Sequence, residues 1–161
     1  MMLSYKTIPI SRINEIKPLW EKLNQIHLDD TIYFTEHYQN FTFEKRAGKW
    51  SGMEEDQLLI LVAETENHEI IGYCISTIDG IKQGEIDSLF VEPEFRSQQI
   101  GRELVLRSLG WLHENECEPI RLAVSFGHEG VIEFYEKLGF FPRMTILEYK
   151  PTEHVHATCF K

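Results

Sequence analysis

The spacing of apolar residues changes period several times along the chain, and each change marks an element. Tyr5 to Ile10 reads as a first strand. Asn14 is placed to cap a helix whose apolar stripe is Ile16, Leu19, Trp20, Leu23 and Ile26 or His27. Pro18 is tolerated there because it falls in the first turn, where N–H groups lack partners anyway, and Asp29-Asp30 ends this helix or caps the next. Tyr38, Phe41 and Lys45 have near-helical spacing and predict a second helix from about Thr35 to Gly48, within a ring-rich segment from Tyr33 to Trp50. The continuous apolar run of Gln57 to Glu64 predicts a strand buried on both faces. Glu66 to Glu69 then turn into a third strand, Ile70 to Ile78, and Asp79-Gly80 leads into a fourth, Gly84 to Val91.

Pro93 stops the fourth strand, since it has no N–H to donate. A polar turn of Arg96, Ser97, Gln98 and Gln99 follows, then Ile100 and Gly101. From Arg102 to Asn115 the period is helical, with Val105, Leu109 and Leu112 on one stripe and Leu104 and Trp111 beside it. Such a strand–loop–helix unit leaves unpaired N–H groups at the helix start, which suit a phosphate. Arg96 and Arg102 add positive charge. The spacing alone fits a ligand-free unit equally well. It lacks the Gly-Lys-Ser/Thr of a P-loop, and Gly101 alone remains of a dinucleotide fingerprint.

Ile120 to Ser125 predicts a fifth strand, parallel to the fourth through the helical crossover. Val131, Phe134, Tyr135 and Leu138 then mark a short helix that Gly139 stops. Phe140 to Tyr149 reads as a sixth strand, and Val155 to Phe160, after Pro151, as a seventh. The expected fold is a single α/β (α+β) domain over 1–161. Its one mixed, mostly antiparallel sheet would have helices on both faces and the parallel pair at its middle.

Composition narrows the function classes. With 42% hydrophobic residues the chain is globular rather than disordered. No apolar run is long enough to cross a membrane, and no charged-then-apolar leader follows Met1. The net charge of −10 argues against a general nucleic-acid binder. It would draw in a cationic substrate, or simply keep the protein soluble. Cys74, Cys117 and Cys159 are odd in number and far apart, which points to a reducing compartment and hence the cytoplasm. His154, His156 and Cys159 match no zinc spacing, so no metal is expected.

Two segments in order, Leu89-Phe-Val-Glu-Pro-Glu-Phe-Arg-x-x-Gln-Ile-Gly101 and Phe134-Tyr-Glu-Lys-Leu-Gly-Phe140, resemble the GNAT superfamily of acetyl-CoA-dependent N-acetyltransferases. The similar region runs from about Gly84 to about Tyr149. Two positions depart from the family pattern: the first glycine of its loop is Gln99 here, and an asparagine that often precedes its last helix is His128.

The resemblance implies the GNAT fold, in which the parallel strands splay around the acyl carrier. It also implies acetyl transfer from acetyl-CoA, as cosubstrate, to a primary amine of a small-molecule or peptide acceptor. Backbone N–H groups of Gln98, Gln99, Ile100, Gly101 and Arg102, with Arg96 and Ser97 beside them, would hold the pyrophosphate. Leu89, Phe90 and Val91 would pair with the pantetheine arm, His128 would donate to the cosubstrate, and the ring-rich Tyr33–Phe43 segment would help form the acceptor pocket. Tyr135 would protonate the leaving thiolate. The general base would be Glu85, where related histone acetyltransferases place a glutamate, with Asp87 as second candidate. Both share the parity of Leu89 and Val91, so all four face one side of the strand unless a bulge intervenes. The Glu44-Lys45-Arg46 run reads as a solvated face. The oligomeric state stays open: the family often forms a homodimer, which is analogy only. The alternative function is an acyl-CoA-binding module without turnover.

Overall fold

The computed structural model describes residues 2–151. In chain order its elements are β1 (Leu3–Thr7), α1 (Lys17–Asp30), α2 (Thr35–Asn40), α3 (Phe43–Ser51), β2 (Leu58–Thr65), β3 (Ile70–Ile78), β4 (Gly84–Val91), α4 (Ile100–Glu114), β5 (Ile120–Leu122) and α5 (Ile132–Glu136). The strands form one sheet in the order β1-β2-β3-β4-β5. The first four are antiparallel neighbours, and β5 runs parallel to β4. Among the described residues the parallel pair therefore lies at an edge of the sheet, not at its middle.

Both faces of the sheet are covered, which is why β2 is apolar from Leu58 to Ala63. Its Ile60 and Val62 join Ile16, Trp20, Phe43 and Trp50 under α1 and α3, whereas Leu59, Leu61 and Ala63 join Ile100, Leu104 and Leu112 under α4. This is the two-residue period of a strand between two layers. On α4 the buried stripe includes Ser108, whose hydroxyl donates to Cys74 Sγ at 3.2 Å, while Leu109 is only half-buried.

Three sequence expectations give way here. Asn14 caps nothing: it lies in a 3-10 turn, Ile10–Ile16, that runs directly into α1. The helix expected over Thr35–Gly48 is broken in two, because Phe41 is extended and Thr42 starts α3 afresh by accepting from the Lys45 N–H. Asn24 Nδ2 satisfies the carbonyls freed at the break, donating to Tyr38 (3.0 Å) and Phe41 (3.3 Å). The sixth strand, Phe140–Tyr149, is absent. That stretch has no regular structure, and Phe141, Ile146 and Leu147 are exposed. A strand needs a ladder, and β5, only three residues long, offers little edge. The seventh strand and His154, His156 and Cys159 lie outside the described residues.

Candidate active site

β4 holds the site because its pairing changes halfway along. It pairs with β5 only from Gly84 to Ile86, opposite Ile120 to Leu122. On the β3 side, Ile75 faces Ser88 and Ser76 faces Ile86, so Asp87 is an extra, bulged residue. Its carbonyl accepts from Arg46 at 2.9 Å, which makes it unavailable to a neighbouring strand. Beyond this point residues 87–91 and 123–125 no longer pair, and both line a cavity of 780 Å³.

The bulge also corrects the expected parity. Leu89 and Val91 pack on the α4 side with Ile86, whereas Phe90 lies in the other core. Asp87 bonds to α3 and so faces the α1/α3 side, and Glu85, one step from Ile86, shares that side. The two carboxylates are together, and Leu89 and Val91 point away from them.

Their environments differ. The Asp87 side chain is 2% exposed. Its Oδ1 accepts from Arg46 at 2.6 Å and Lys49 at 3.1 Å, and its Oδ2 accepts from the Trp50 indole at 2.6 Å. Glu85 is 38% exposed, and its nearest cation is Lys49 at 3.9 Å. Burial raises the Glu85 pKa above the usual carboxylate value, helped by the charge of Asp87 and opposed by Lys49 and Arg46.

The loop into α4 forms another wall. Arg96 turns back to donate to the Val91 carbonyl at 3.0 Å and lies over the Phe90 ring. Ser97 and Gln99 are left-handed, with φ of 64° and 63°, and Gln99 is the residue from which α4 starts. Glycine takes this conformation without cost, so the loop follows a glycine-like path with a side chain added. Ser97, Gln99, Ile100, Gly101 and Arg102 line the cavity, whereas Gln98 does not.

Tyr135 on α5 lines the opposite wall, held edge-on by Phe134 at 5.0 Å and Phe140 at 6.1 Å. Burial pushes its phenol well above the ordinary value. His128 reaches the cavity too, but its Nδ1 is bonded to Asp30 Oδ2 at 2.7 Å. Gly127 lets the two approach. Its φ is +96°, and a Cβ there would sit 2.3 Å from the Asp30 carbonyl oxygen. His27 stacks edge-to-face on His128 at 5.2 Å, and its buried Nδ1 has no partner among the described residues. Burial, with the charge of His128, lowers the His27 pKa to about 4, so its ring is neutral at neutral pH.

The remaining wall comes from α1, α2 and α3. His37, Tyr38 and Phe41 line it, and the Tyr38 hydroxyl donates to Ser125 at 3.0 Å, bridging α2 to the far side of the cleft. Trp20, Phe43 and Trp50 from the same region are core. Sequence reasoning missed Arg46, which is no solvated residue: it is bonded to Asp87 and its guanidinium lies 5.2 Å from the Trp50 ring centre. A signal was present, because Arg46 falls between Phe43 and Trp50 on the buried stripe of α3, where a cation needs an acid.

A mixed sheet that opens beside its parallel strand, with a tight loop and helix start at the opening, is the architecture of the acyl-CoA N-acyltransferases. The chain belongs to the acetyltransferase (GNAT) family, whose model matches residues 20–140. Over 129 residues, 70% of this chain and 56% of the relative, it is 29% identical to an uncharacterized N-acetyltransferase of Methanocaldococcus jannaschii. The chain spans 31% to 60% of the length of the curated relatives it matches. The paiA N-acetyltransferase of Thermoplasma acidophilum, solved with coenzyme A, has the same fold, with a TM-score of 0.71 at 20% identity over 91% of this chain and 94% of that one. AAC(6')-Iy, solved in complex with the bisubstrate analog CoA-S-monomethyl-acetylneamine, superposes with a TM-score of 0.67 at 14% identity over 94% and 99% of the two chains. No helix among the described residues is long and apolar enough to cross a membrane.

Proposed function

We propose that the protein transfers the acetyl group of acetyl-CoA directly to a primary amine of a small-molecule or peptide acceptor. The observation that supports this most is one continuous cavity with Glu85, the start of α4 and Tyr135 all on its walls. Leu89, Phe90 and Val91 would offer main-chain groups to the pantetheine arm, since among the described residues β4 pairs with β5 only as far as Ile86. The N–H groups of Gly101 and Arg102, in the first turn of α4, would face the pyrophosphate. The donor supplies an activated thioester carbonyl. Glu85 takes a proton from the ammonium of the acceptor, the free amine attacks the carbonyl carbon, the C–S bond breaks, the Tyr135 hydroxyl protonates the departing sulfur, and the second proton shed by the acylated nitrogen restores the Tyr135 hydroxyl.

The test is release of free thiol from acetyl-CoA against a panel of amines, followed across pH. One amine should turn over, and kcat/KM should fall as pH drops through the raised Glu85 pKa, because the base is active only when deprotonated. Glu85→Gln should lower kcat/KM at neutral pH by about 100-fold and abolish that acid limb. Binding of acetyl-CoA with no amine turned over would instead make the protein an acyl-CoA-binding module.

Gln99 gives a second prediction. Gln99→Gly relieves about 1 kcal/mol of left-handed strain, and the added freedom of the unfolded chain offsets most of it. Denaturation should therefore shift by less than about 0.5 kcal/mol. Acetyl-CoA should bind several-fold more tightly by calorimetric titration, because the backbone can then approach the pyrophosphate. An unchanged affinity would mean that the Gln99 side chain stands clear of the ligand.

A further inference from the structure

Three donors from one helix converge on Asp87. Arg46, Lys49 and Trp50 lie on α3 at positions i, i+3 and i+4, and together they occupy both carboxyl oxygens of a side chain closed to solvent. An acceptor amine could reach Asp87 only by displacing one of them. Glu85, on the same face of β4 and far more open, meets one cation, Lys49, at 3.9 Å. Lys49 Nζ thus lies between two carboxylates and nearer to Asp87, at 3.1 Å. Such an arrangement leaves one carboxylate free to exchange a proton while the other holds the surrounding charges.

We propose that Asp87 and Lys49 are positioning residues that together set the proton affinity of Glu85. Asp87 does so by its own charge and by keeping Arg46 and Lys49 on its own oxygens; Lys49 does so by its ammonium. The proposal rests on the reading of Glu85 as the base in acetyl transfer. The charges facing Glu85 are Asp87 from β4 and Arg46 and Lys49 from α3, and their effects on it have the signs the proposal needs. From β3 its neighbour in register is the uncharged Thr77, and from β5 it is Arg121, which is exposed.

The experiment is a carbon-13 NMR titration of the Glu85 side-chain carboxyl in the whole protein, wild type beside Asp87→Asn and Lys49→Gln. In Asp87→Asn the midpoint should move to lower pH, because a negative neighbour is lost and two cations are released toward Glu85. In Lys49→Gln it should move to higher pH. Opposite shifts are something a purely structural role would not produce. Midpoints that stay put, or move the same way in both variants, overturn the proposal. Should Asp87→Asn fail to fold, Lys49→Gln decides alone, since its side chain is half-exposed and its loss leaves Arg46 and Trp50 on Asp87. The acid limb of kcat/KM is read in parallel. Midpoints that move while the limb does not would uphold the positioning role and sink Glu85 as the base.

Discussion

Tyr135→Phe is expected to lower kcat by about 100-fold or more while leaving acetyl-CoA affinity within about threefold, the usual scale for losing a general acid but not a binding contact. The substitution is clean because phenylalanine keeps the ring contacts to Phe134 and Phe140 and removes only the hydroxyl. That hydroxyl makes no hydrogen bond to any described residue, so no structural bond is lost with it. Burial raises its pKa, and the sign suits a donor: the group stays protonated through neutral pH and has a proton to give to a departing thiolate. Steady-state kinetics beside a calorimetric titration separate the two effects. A kcat within threefold of wild type would return Tyr135 to a packing role.

The second large effect is on stability. Trp50 is fully buried, packs edge-on against Phe43 and donates its indole N–H to Asp87. Trp50→Ala should cost about 3–5 kcal/mol from the lost packing and cavity. Leaving a donor-poor buried carboxylate would add about 1–3 kcal/mol. Against a typical total of roughly 5–15 kcal/mol, this threatens the fold itself. Trp50→Phe divides the sum, since it keeps most of the apolar volume and loses only the hydrogen bond. It should cost about 1–3 kcal/mol in denaturant unfolding. A Trp50→Phe protein as stable as wild type would show that the indole bond contributes nothing net.

The sequence made the sheet strands legible wherever a strand is bounded by its own residues. β2 and β3 follow from apolar runs and turn residues, and α4 from its period. Errors came where another part of the chain decides. The break between α2 and α3 depends on Asn24, far away on α1, which receives the freed carbonyls. The shortness of β5 depends on Arg46, which takes the Asp87 carbonyl that a longer ladder would need. The parity of β4 turns on one bulged residue, and no local pattern marks it. Of the residues to which the resemblance gave roles, Glu85, Leu89, Gly101 and Tyr135 line one cavity. Arg46, His27 and Asp30 were not foreseen, because their meaning lies in partners 41, 101 and 98 positions on: Asp87, His128 and, for Asp30, His128 again.

The extra residue in β4 has a consequence for anyone recombining relatives of this protein. Helix α3 and the bulge form a lock and its key: Arg46 reads a carbonyl that exists in that orientation only because Asp87 is out of step, and Trp50 reads the carboxyl beside it. A chimera that imports a foreign helix in place of α3 onto an unbulged strand would break both contacts. It would also turn the residues after position 87 to the opposite face, moving Leu89 from one core to the other. Helix α3 and strand β4 are therefore inherited as a pair of distant segments, and a library that shuffles them separately should yield mostly misfolded members.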